Sequence, residues 1–369
     1  MPGTIFCGKP YNRGMKHIGF RLGLLAAALA IFPAAQAADL MPGKKAPEIK
    51  SALWVKGKPF KSFSESEFTV VEFWATWCGP CIDAIPHVTE LAKKHKGKVA
   101  FYGMNVWEGE GDVTPQVKEF VSKMGAKMDY NVGMDTKEGH MAEKWMTAAN
   151  QNGIPASFVI NKEGTVLWIG HPMDLEGVLD QAISGKFDLQ KSIKDFETAE
   201  AKQAKFEEFA AKIDEAVTLY ASGKKEEGLK KLEAIDDEGD EQMKAMKENA
   251  KVQMFFPFID ELTAYVDSLI KEGKAENGSK LVELSFMLKK EHSDKHKALV
   301  ARAIDEGVKL DSKNPITFLM AGYGWSILGD NKKANAMADE GLKVLPTSTY
   351  KDDKGLQEAF AELKEKTKG

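Results

Sequence analysis

Cysteine is scarce in this chain, which has three cysteines among 369 residues. Small exported domains that are held together by disulfides need several cysteine pairs, so that class of protein is excluded. A zinc site would need two ligands beyond Cys78 and Cys81, and the sequence has no second cysteine pair. Covalent haem attachment is excluded because Ile82, not histidine, follows Cys81.

An excess of charge of one sign is also absent. The 51 basic and 55 acidic residues leave a net charge of -4, whereas proteins that bind nucleic acid or anionic surfaces carry clustered positive charge. We therefore expect no nucleic-acid partner. A hydrophobic content of 43% and a charged content of 29% are typical of globular proteins. The length indicates two domains rather than one.

The apolar run from Leu22 to Phe32 is too short for a membrane helix, which needs roughly 20 residues. It follows the basic stretch Met15–Arg21 and precedes Ala35-Gln36-Ala37, which matches the small-residue pattern of a cleavage site. Residues 1–37 are therefore predicted to be a secretory signal peptide, with residues 1–14 an extension from a misassigned start. Export to the periplasm or another extracytoplasmic space follows; a retained membrane anchor is the alternative.

Cleavage of the signal peptide would remove Cys7 and leave Cys78 and Cys81 as the only thiol pair. Two cysteines separated by two residues can close a small disulfide ring and open it again. The apolar run Phe68–Phe73 predicts a strand, and a helix is predicted from Cys78 to His95. The attacking form of a thiol is the thiolate, which a helix N-terminus stabilises. Cys78 is thus the predicted nucleophile, and Cys81, one turn deeper, is the predicted resolving thiol.

Two further features are candidates for the same site. Glu72 lies in the predicted strand, where an apolar setting should raise the pKa of its carboxyl and let it exchange a proton with Cys81. An edge strand with Glu72 facing solvent is the alternative. The tripeptide Gly153-Ile154-Pro155 precedes the predicted strand Ala156–Asn161. A cis Ile154–Pro155 bond would place this loop against the cysteines, where its backbone could pair with an extended substrate.

Secondary-structure signals divide the chain into two parts. Residues 38–188 alternate strand and helix patterns, which predicts an α/β domain with a central mixed sheet flanked by helices. The predicted strands are Phe68–Phe73, Val99–Asn105, Val132–Asp135, Ala156–Asn161 and Val166–Gly170. The predicted helices are Cys78–His95, Pro115–Met124, Gly139–Ala148 and Leu175–Ser184, with Thr114 as the cap before Pro115. Over residues 189–369 β-branched runs disappear, and Glu, Lys and Ala dominate a helical periodicity. Turns at Gly223, Gly273 and Gly329 separate helices there, and the last unit resembles a tetratricopeptide repeat. We therefore predict an all-α domain of helical hairpins that binds a partner protein.

The run from Val70 to Pro86, together with Gly153-Ile154-Pro155, resembles the thioredoxin superfamily. The lead-in Phe73–Cys78 is similar to the exported TlpA-like branch of thiol–disulfide oxidoreductases. The resemblance covers residues 40–186 and implies a thioredoxin-like fold. It also implies a nucleophile, a resolving thiol, a cis-proline and a buried acid, which are Cys78, Cys81, Pro155 and Glu72. Substrate contacts are expected from Trp77, Gly79, Pro80, Ile154 and Pro155.

The chain departs from the family pattern at two positions. Ala84 stands where many exported relatives carry Glu, and Ala156 replaces the Thr that is common after the cis-proline. These departures affect the redox potential and the substrate preference rather than the chemistry. The Gly79-Pro80 dipeptide resembles that of reducing thioredoxins, so a reductase is expected. The alternatives are a disulfide isomerase or oxidase, and a non-enzymatic adaptor whose helical array binds a partner protein.

The enzyme interpretation predicts a protein thiol or disulfide as the substrate and needs no cofactor and no metal. An exported reductase also needs an electron donor, for which a membrane reductase is expected because cytosolic donors cannot reach it. His171 is interpreted as a loop residue. The acidic loop from Glu108 to Asp112 is interpreted as solvated, because it lacks the ligand spacing of a calcium site.

Overall fold

The computed structural model describes residues 38–368, so the predicted signal peptide lies outside the described residues. Contacts within the chain divide it into two units, of which the first ends at Ile193 and the second begins at Lys194. That division falls inside a helix, Leu189–Ala221. A domain boundary between residues 188 and 189 therefore stays a prediction.

The first unit is built on one mixed sheet of six strands. In chain order these are β1 (Leu53–Lys56), β2 (Phe68–Trp74), β3 (Val99–Asn105), β4 (Asn131–Met134), β5 (Ala156–Asn161) and β6 (Val166–Gly170). Their order across the sheet is β1-β4-β3-β2-β5-β6. Strands β2, β3 and β4 run parallel, whereas β1, β5 and β6 are antiparallel to their neighbours. Strand β2, which leads into the cysteine pair, is therefore central.

Helices cover both faces of this sheet. On one face, α1 (Gly79–Lys94), α2 (Thr114–Met124) and α3 (Leu175–Ile183) share a hydrophobic cluster with Val70 and Trp74 of β2. On the other face, a π-helical turn spans Ala142–Met146. Trp145 of that turn packs edge-on against Phe158, with the ring centroids 5.4 Å apart. Alternate residues of each buried strand thus fill two separate cores, as the period of two in a strand requires.

Three local features differ from the sequence-based predictions. The short strand β1 was not predicted; it pairs with β4 at one edge of the sheet. The predicted helix over residues 139–148 is instead the π-helical turn followed by a 3-10 turn, Thr147–Ala149. Thr114, predicted to cap a helix, is the first residue of α2, and its N–H donates to the Asp112 carboxylate at 3.1 Å.

The second unit consists of helices alone over its described residues. After α4 (Leu189–Ala221) they are α5 (Lys225–Ala234), α6 (Glu241–Phe255), α7 (Ile259–Glu272), α8 (Glu276–Glu283), α9 (Asp294–Leu310), α10 (Pro315–Ile327), α11 (Asn331–Val344) and α12 (Lys354–Lys366). The predicted turns at Gly223, Gly273 and Gly329 each lie between two consecutive helices. Assignment to the tetratricopeptide repeats stays a prediction. No helix within residues 38–368 combines the length and apolar character of a bilayer-spanning segment.

Candidate active site

The two cysteines lie where β2 passes into α1. Cys78 is the N-cap residue of α1, with extended backbone angles of φ -86° and ψ 97°, and Cys81 lies in the first turn. The two sulfurs form a disulfide with an S–S distance of 2.04 Å. Both cysteines are buried, Cys78 at 3% exposure and Cys81 at 0%. Cys78 is therefore the slightly more exposed of the two cysteines, and its role as the attacking sulfur stays a prediction.

The start of α1 can stabilise negative charge on Cys78. The Cys81 N–H points at Cys78 Sγ across 3.2 Å, and Pro80 in the first turn lacks an N–H that would be unpaired there. Cys78 Sγ also lies 3.7 Å from the carbonyl oxygen of Ile154. In the disulfide this sulfur carries no proton, so a hydrogen bond to Ile154 is open only to the reduced thiol.

The loop before β5 reaches the cysteine pair. The Ile154–Pro155 peptide bond is cis, as the resemblance implies, and Pro155 immediately precedes β5. Ile154 and Pro155 are partly buried, and Gly153 is exposed. The structure thus brings Ile154 together with Cys78, while the contact of this loop with substrate stays a prediction.

Glu72 is buried in the central strand, so the alternative of a solvent-facing edge position is wrong. It is 1% exposed and projects from the same face of β2 as Val70 and Trp74, whose cluster includes Cys78 and Cys81. Burial raises the pKa of its carboxyl from 4.5 to about 8, against the lowering effect of the Tyr130 hydroxyl, which donates to Oε2 at 3.5 Å. Oε1 has no partner in the described part of the chain. The raised pKa was expected from the sequence; a catalytic role for Glu72 stays a prediction.

The predicted substrate-contacting residues of the motif lie at the surface. Trp77 is 58% exposed, and Gly79 and Pro80 are exposed beside it. Trp74, by contrast, is fully buried and stacks on Phe120 of α2 with the ring centroids 5.2 Å apart. The two tryptophans of the motif therefore have different environments, one in the core and one beside Cys78.

Glu108 is bonded to the motif, although its sequence context predicts a solvated loop. Its carboxylate accepts hydrogen bonds from the backbone N–H and the hydroxyl of Thr76 at 2.7 and 2.8 Å. The signal was available in principle, because β2 and β3 are adjacent parallel strands whose carboxyl ends meet at one edge of the sheet. Glu108 follows β3 by three residues, and Thr76 follows β2 by two.

His171 has a local structural role. His171 caps a 3-10 turn, where its Nδ1 accepts the Met173 N–H at 3.3 Å. Within residues 38–368, no group of three or more His, Cys, Asp or Glu side chains is arranged to hold a metal ion.

Several known proteins are similar to the first part of this chain. Residues 41–183 match the Redoxin family. Protein FixW from Rhizobium leguminosarum is 32% identical over 158 residues, which cover 41% of this chain and 70% of FixW. Thiol-disulfide oxidoreductase ResA from Bacillus anthracis is 33% identical over 98 residues, 26% of this chain and 50% of ResA. A solved thiol:disulfide interchange protein of the thioredoxin family from Chlorobium tepidum aligns with 38% of this chain and 96% of its own, at 30% identity and a TM-score of 0.30.

The architecture and the relatives lead to one assignment. A mixed sheet with helices on both faces, a Cys-x-x-Cys pair at the start of a helix and a cis-proline loop beside it occur together in residues 38–193. The Redoxin family matches this region, and so does FixW, of which the chain spans 70%. This chain belongs to the thioredoxin superfamily, as a thiol–disulfide oxidoreductase with a helical region at its C-terminal side.

Proposed function

We propose that the protein is an exported reductase that passes electrons from the Cys78–Cys81 dithiol to disulfides in other proteins. The observation that carries its exchange chemistry is the position of Cys78, whose sulfur caps α1 and faces the Cys81 N–H at 3.2 Å. The reducing direction rests on the Gly79-Pro80 dipeptide. A thiolate there is stabilised before any substrate arrives, which is what an attacking sulfur needs.

The reaction has two exchange steps. The Cys78 thiolate attacks one sulfur of the substrate disulfide; a Cys78–substrate bond forms, the substrate S–S bond breaks, and the other substrate sulfur leaves and takes up a proton. Cys81 then loses its proton and attacks Cys78 Sγ, which forms the Cys78–Cys81 disulfide and releases the second substrate thiol. Two electrons pass to the substrate. Glu72, whose pKa is about 8, is proposed as the group that accepts the Cys81 proton.

Export and the electron donor belong to the same proposal. The basic, apolar and small-residue pattern of residues 15–37 supports export, and the Gly79-Pro80 dipeptide supports a reducing role. An exported reductase must be reduced again after each turnover. A membrane reductase that draws on cytosolic electrons is the donor proposed here.

The helical region is proposed to recruit the protein substrate. The support is its series of helical hairpins, each with a short turn, which in repeat proteins build extended binding surfaces. The adaptor alternative assigns the whole function to this region. A variant that lacks the Cys78 sulfur separates the enzyme proposal from the adaptor alternative, because an adaptor does not need a reacting sulfur.

The test traps the first exchange step. A Cys81→Ser chain should accumulate a mixed disulfide with a disulfide-linked model protein, because the resolving thiol is absent, and Cys78→Ser should accumulate none. Partner processing that survives Cys78→Ser would contradict the enzyme proposal and favour the adaptor.

A shortened chain tests the recruitment role. A Cys81→Ser chain that ends at Ala204 keeps Ser192, whose hydroxyl donates to the Leu167 carbonyl at 2.8 Å. It should trap the model protein as the full chain does, but trap fewer exported partner proteins. Equal capture of those partners by both chains would contradict recruitment by the helices.

A further inference from the structure

The loop after β3 is bonded to the turn that carries the nucleophile. The Glu108 carboxylate accepts from the Thr76 N–H at 2.7 Å, from the Thr76 hydroxyl at 2.8 Å and from the Asn105 amide at 2.7 Å. The Gln116 amide reaches the Thr76 hydroxyl oxygen at 2.5 Å. Thr76 and Asn105 are neutral donors to Glu108, so the carboxylate acts as an acceptor that ties the turn after β2 to the end of β3. Hydrogen bonds to a charged group are among the stronger ones in proteins.

Thr76 lies within the turn that delivers Cys78 to the start of α1. The Cys78 N–H donates to the Ala75 carbonyl at 3.2 Å, which closes the turn over Thr76 and Trp77. The backbone N–H and the hydroxyl of Thr76 both donate to the Glu108 carboxylate. The orientation of Trp77 and the position of Cys78 at the helix N-cap therefore depend on a side chain from the loop after β3.

A second tryptophan lies at the same place. The Trp77 indole N–H donates to the Trp107 carbonyl at 2.9 Å. Trp107 has a φ of 55°, in the left-handed region that bulky residues seldom adopt, directly before the anchored Glu108. Trp77 is 58% exposed and Trp107 is 38% exposed. Two large apolar side chains are thus presented to solvent next to Cys78, which is itself only 3% exposed.

We propose that Glu108 is a positioning residue that holds Trp77 and Trp107 beside Cys78, where the two indoles contact the polypeptide around the disulfide of a protein substrate. This inference rests on the proposed function. A substrate sulfur that reaches the nearly buried Cys78 brings its flanking chain onto the side chains exposed next to it. Tryptophan offers large contact area with few rotatable bonds, which suits such a contact. Trp107 and Glu108 lie outside the Cys-x-x-Cys motif.

The decisive variant is Glu108→Gln, which keeps the shape but turns an amide donor toward the donors of Thr76 and Asn105. We expect KM for a disulfide-linked model protein to rise about tenfold, equivalent to about 1.4 kcal/mol, with kcat changed far less. Glu110→Gln is the matched control, because Glu110 is an exposed acid two residues further along the same loop. It should leave KM unchanged.

Two Thr76 variants separate positioning from a general loss of folding. Thr76→Ser keeps both donors to Glu108 and should retain the wild-type KM, whereas Thr76→Val removes the hydroxyl donor and should raise KM. The effects of Thr76→Val and Glu108→Gln should be less than additive, because both remove the same hydrogen bond. Trp107→Ala, which leaves the Glu108 side chain intact, should also raise KM for the protein substrate.

The outcomes distinguish this inference from the function on which it rests. If the wild-type chain reduces the model protein and the folded Glu108→Gln variant keeps its KM, the positioning role is wrong and the oxidoreductase proposal stands. An unchanged KM in Trp107→Ala would exclude the indole contact. If the wild-type chain does not reduce the model protein at all, the proposed function itself is wrong.

Discussion

At the scale of single residues, the burial of the Glu72 carboxyl lowers the stability of the fold. This carboxyl is placed in a central strand with one oxygen unpaired in the described structure and with only Tyr130 as a donor, at 3.5 Å. Burial disfavours the charged form, which is why the pKa of this carboxyl rises to about 8. A protein that needed only stability would gain from an apolar residue here. Retention of a buried acid beside the cysteine cluster is consistent with a role in proton transfer.

The pH dependence of stability follows from that pKa. A carboxyl whose pKa is higher in the folded chain than in the unfolded chain stabilises the fold most below pH 4.5, and this contribution is lost as pH rises through about 8. The full difference is on the order of 5 kcal/mol for this shift. We expect the free energy of unfolding of the oxidised protein to fall between pH 5 and pH 9, and Glu72→Gln to remove most of that fall. Denaturant unfolding at several pH values measures the free energy of unfolding. Parallel pH profiles for the wild type and Glu72→Gln would show that the carboxyl is not buried as described.

The residue scale also shows the limits of reading a sequence. Cys78, Cys81 and Glu72 could be identified because one short motif places them relative to a strand and a helix. Glu108 was not identified, because its bonds to Thr76 join residues 32 apart and can be predicted only once the adjacent strands are known. An acidic, glycine-containing loop looks solvated until the neighbouring strand is known.

At the scale of elements, strong periodic patterns in the sequence were sufficient to predict most strands and helices of the first unit. The buried strands β2, β3, β5 and β6 and the helix α1 are predicted from apolar runs and from the turn residues between them. Strand β1 was missed because it is only four residues long and half-buried throughout, so its apolar run is too short to distinguish a strand from a loop. The π-helical turn at residues 142–146 was predicted as an ordinary helix because the two share nearly the same apolar spacing.

Close helix packing in the second unit explains a glycine inside α8. A Cβ on Gly278 of α8 would lie 2.6 Å from the Gly307 carbonyl oxygen of α9. Backbone atoms cannot move aside as a flexible side chain can. Glycine at this position therefore permits α8 and α9 to approach each other closely.

Substitution of this glycine should weaken the helical unit. We expect Gly278→Ala to destabilise the protein by about 1–3 kcal/mol through overpacking. Gly177→Ala is the control, since Gly177 lies in α3 with no atom within 4 Å of a Cβ. It should be neutral or stabilise by about 0.5–1 kcal/mol, because alanine is the better helix former. Thermal unfolding followed by circular dichroism measures both, and equal stability of the two variants would contradict the close packing of α8 on α9.

At the scale of the whole molecule, the composition and the thiol count were the most informative facts. A near balance of charge indicated no nucleic-acid partner, which stays a prediction, and the single Cys-x-x-Cys pair of residues 38–368 pointed to redox chemistry instead of structural cross-linking. The order of an α/β part followed by a helical part was predictable because β-branched runs stop near residue 187. The assignment of the helices to a repeat family was not predictable, because only the last helical hairpin, around Gly329, carries a recognisable pattern.

The direction of electron flow in the proposed function depends on the reduction potential of the Cys78–Cys81 pair. If the protein acts as a reductase, its dithiol, with no other thiol in residues 38–368, must be reduced again by an outside donor after each turnover. The chain can act as a reductase only if its reduction potential is low enough to favour transfer to substrate disulfides. Thioredoxin, with the same Gly-Pro dipeptide between its cysteines, lies at about -270 mV, whereas the strong oxidant DsbA lies at about -120 mV.

The reduction potential of the Cys78–Cys81 pair is therefore the most direct test. Full-length protein would be equilibrated in graded glutathione buffers, and the fraction of free thiols at Cys78 and Cys81 measured at each ratio. We predict a value near that of thioredoxin, about -270 mV, with the pair remaining oxidised in all but the most reducing buffers. A value near about -120 mV would contradict the reductase assignment and make the protein an oxidant of other proteins' thiols.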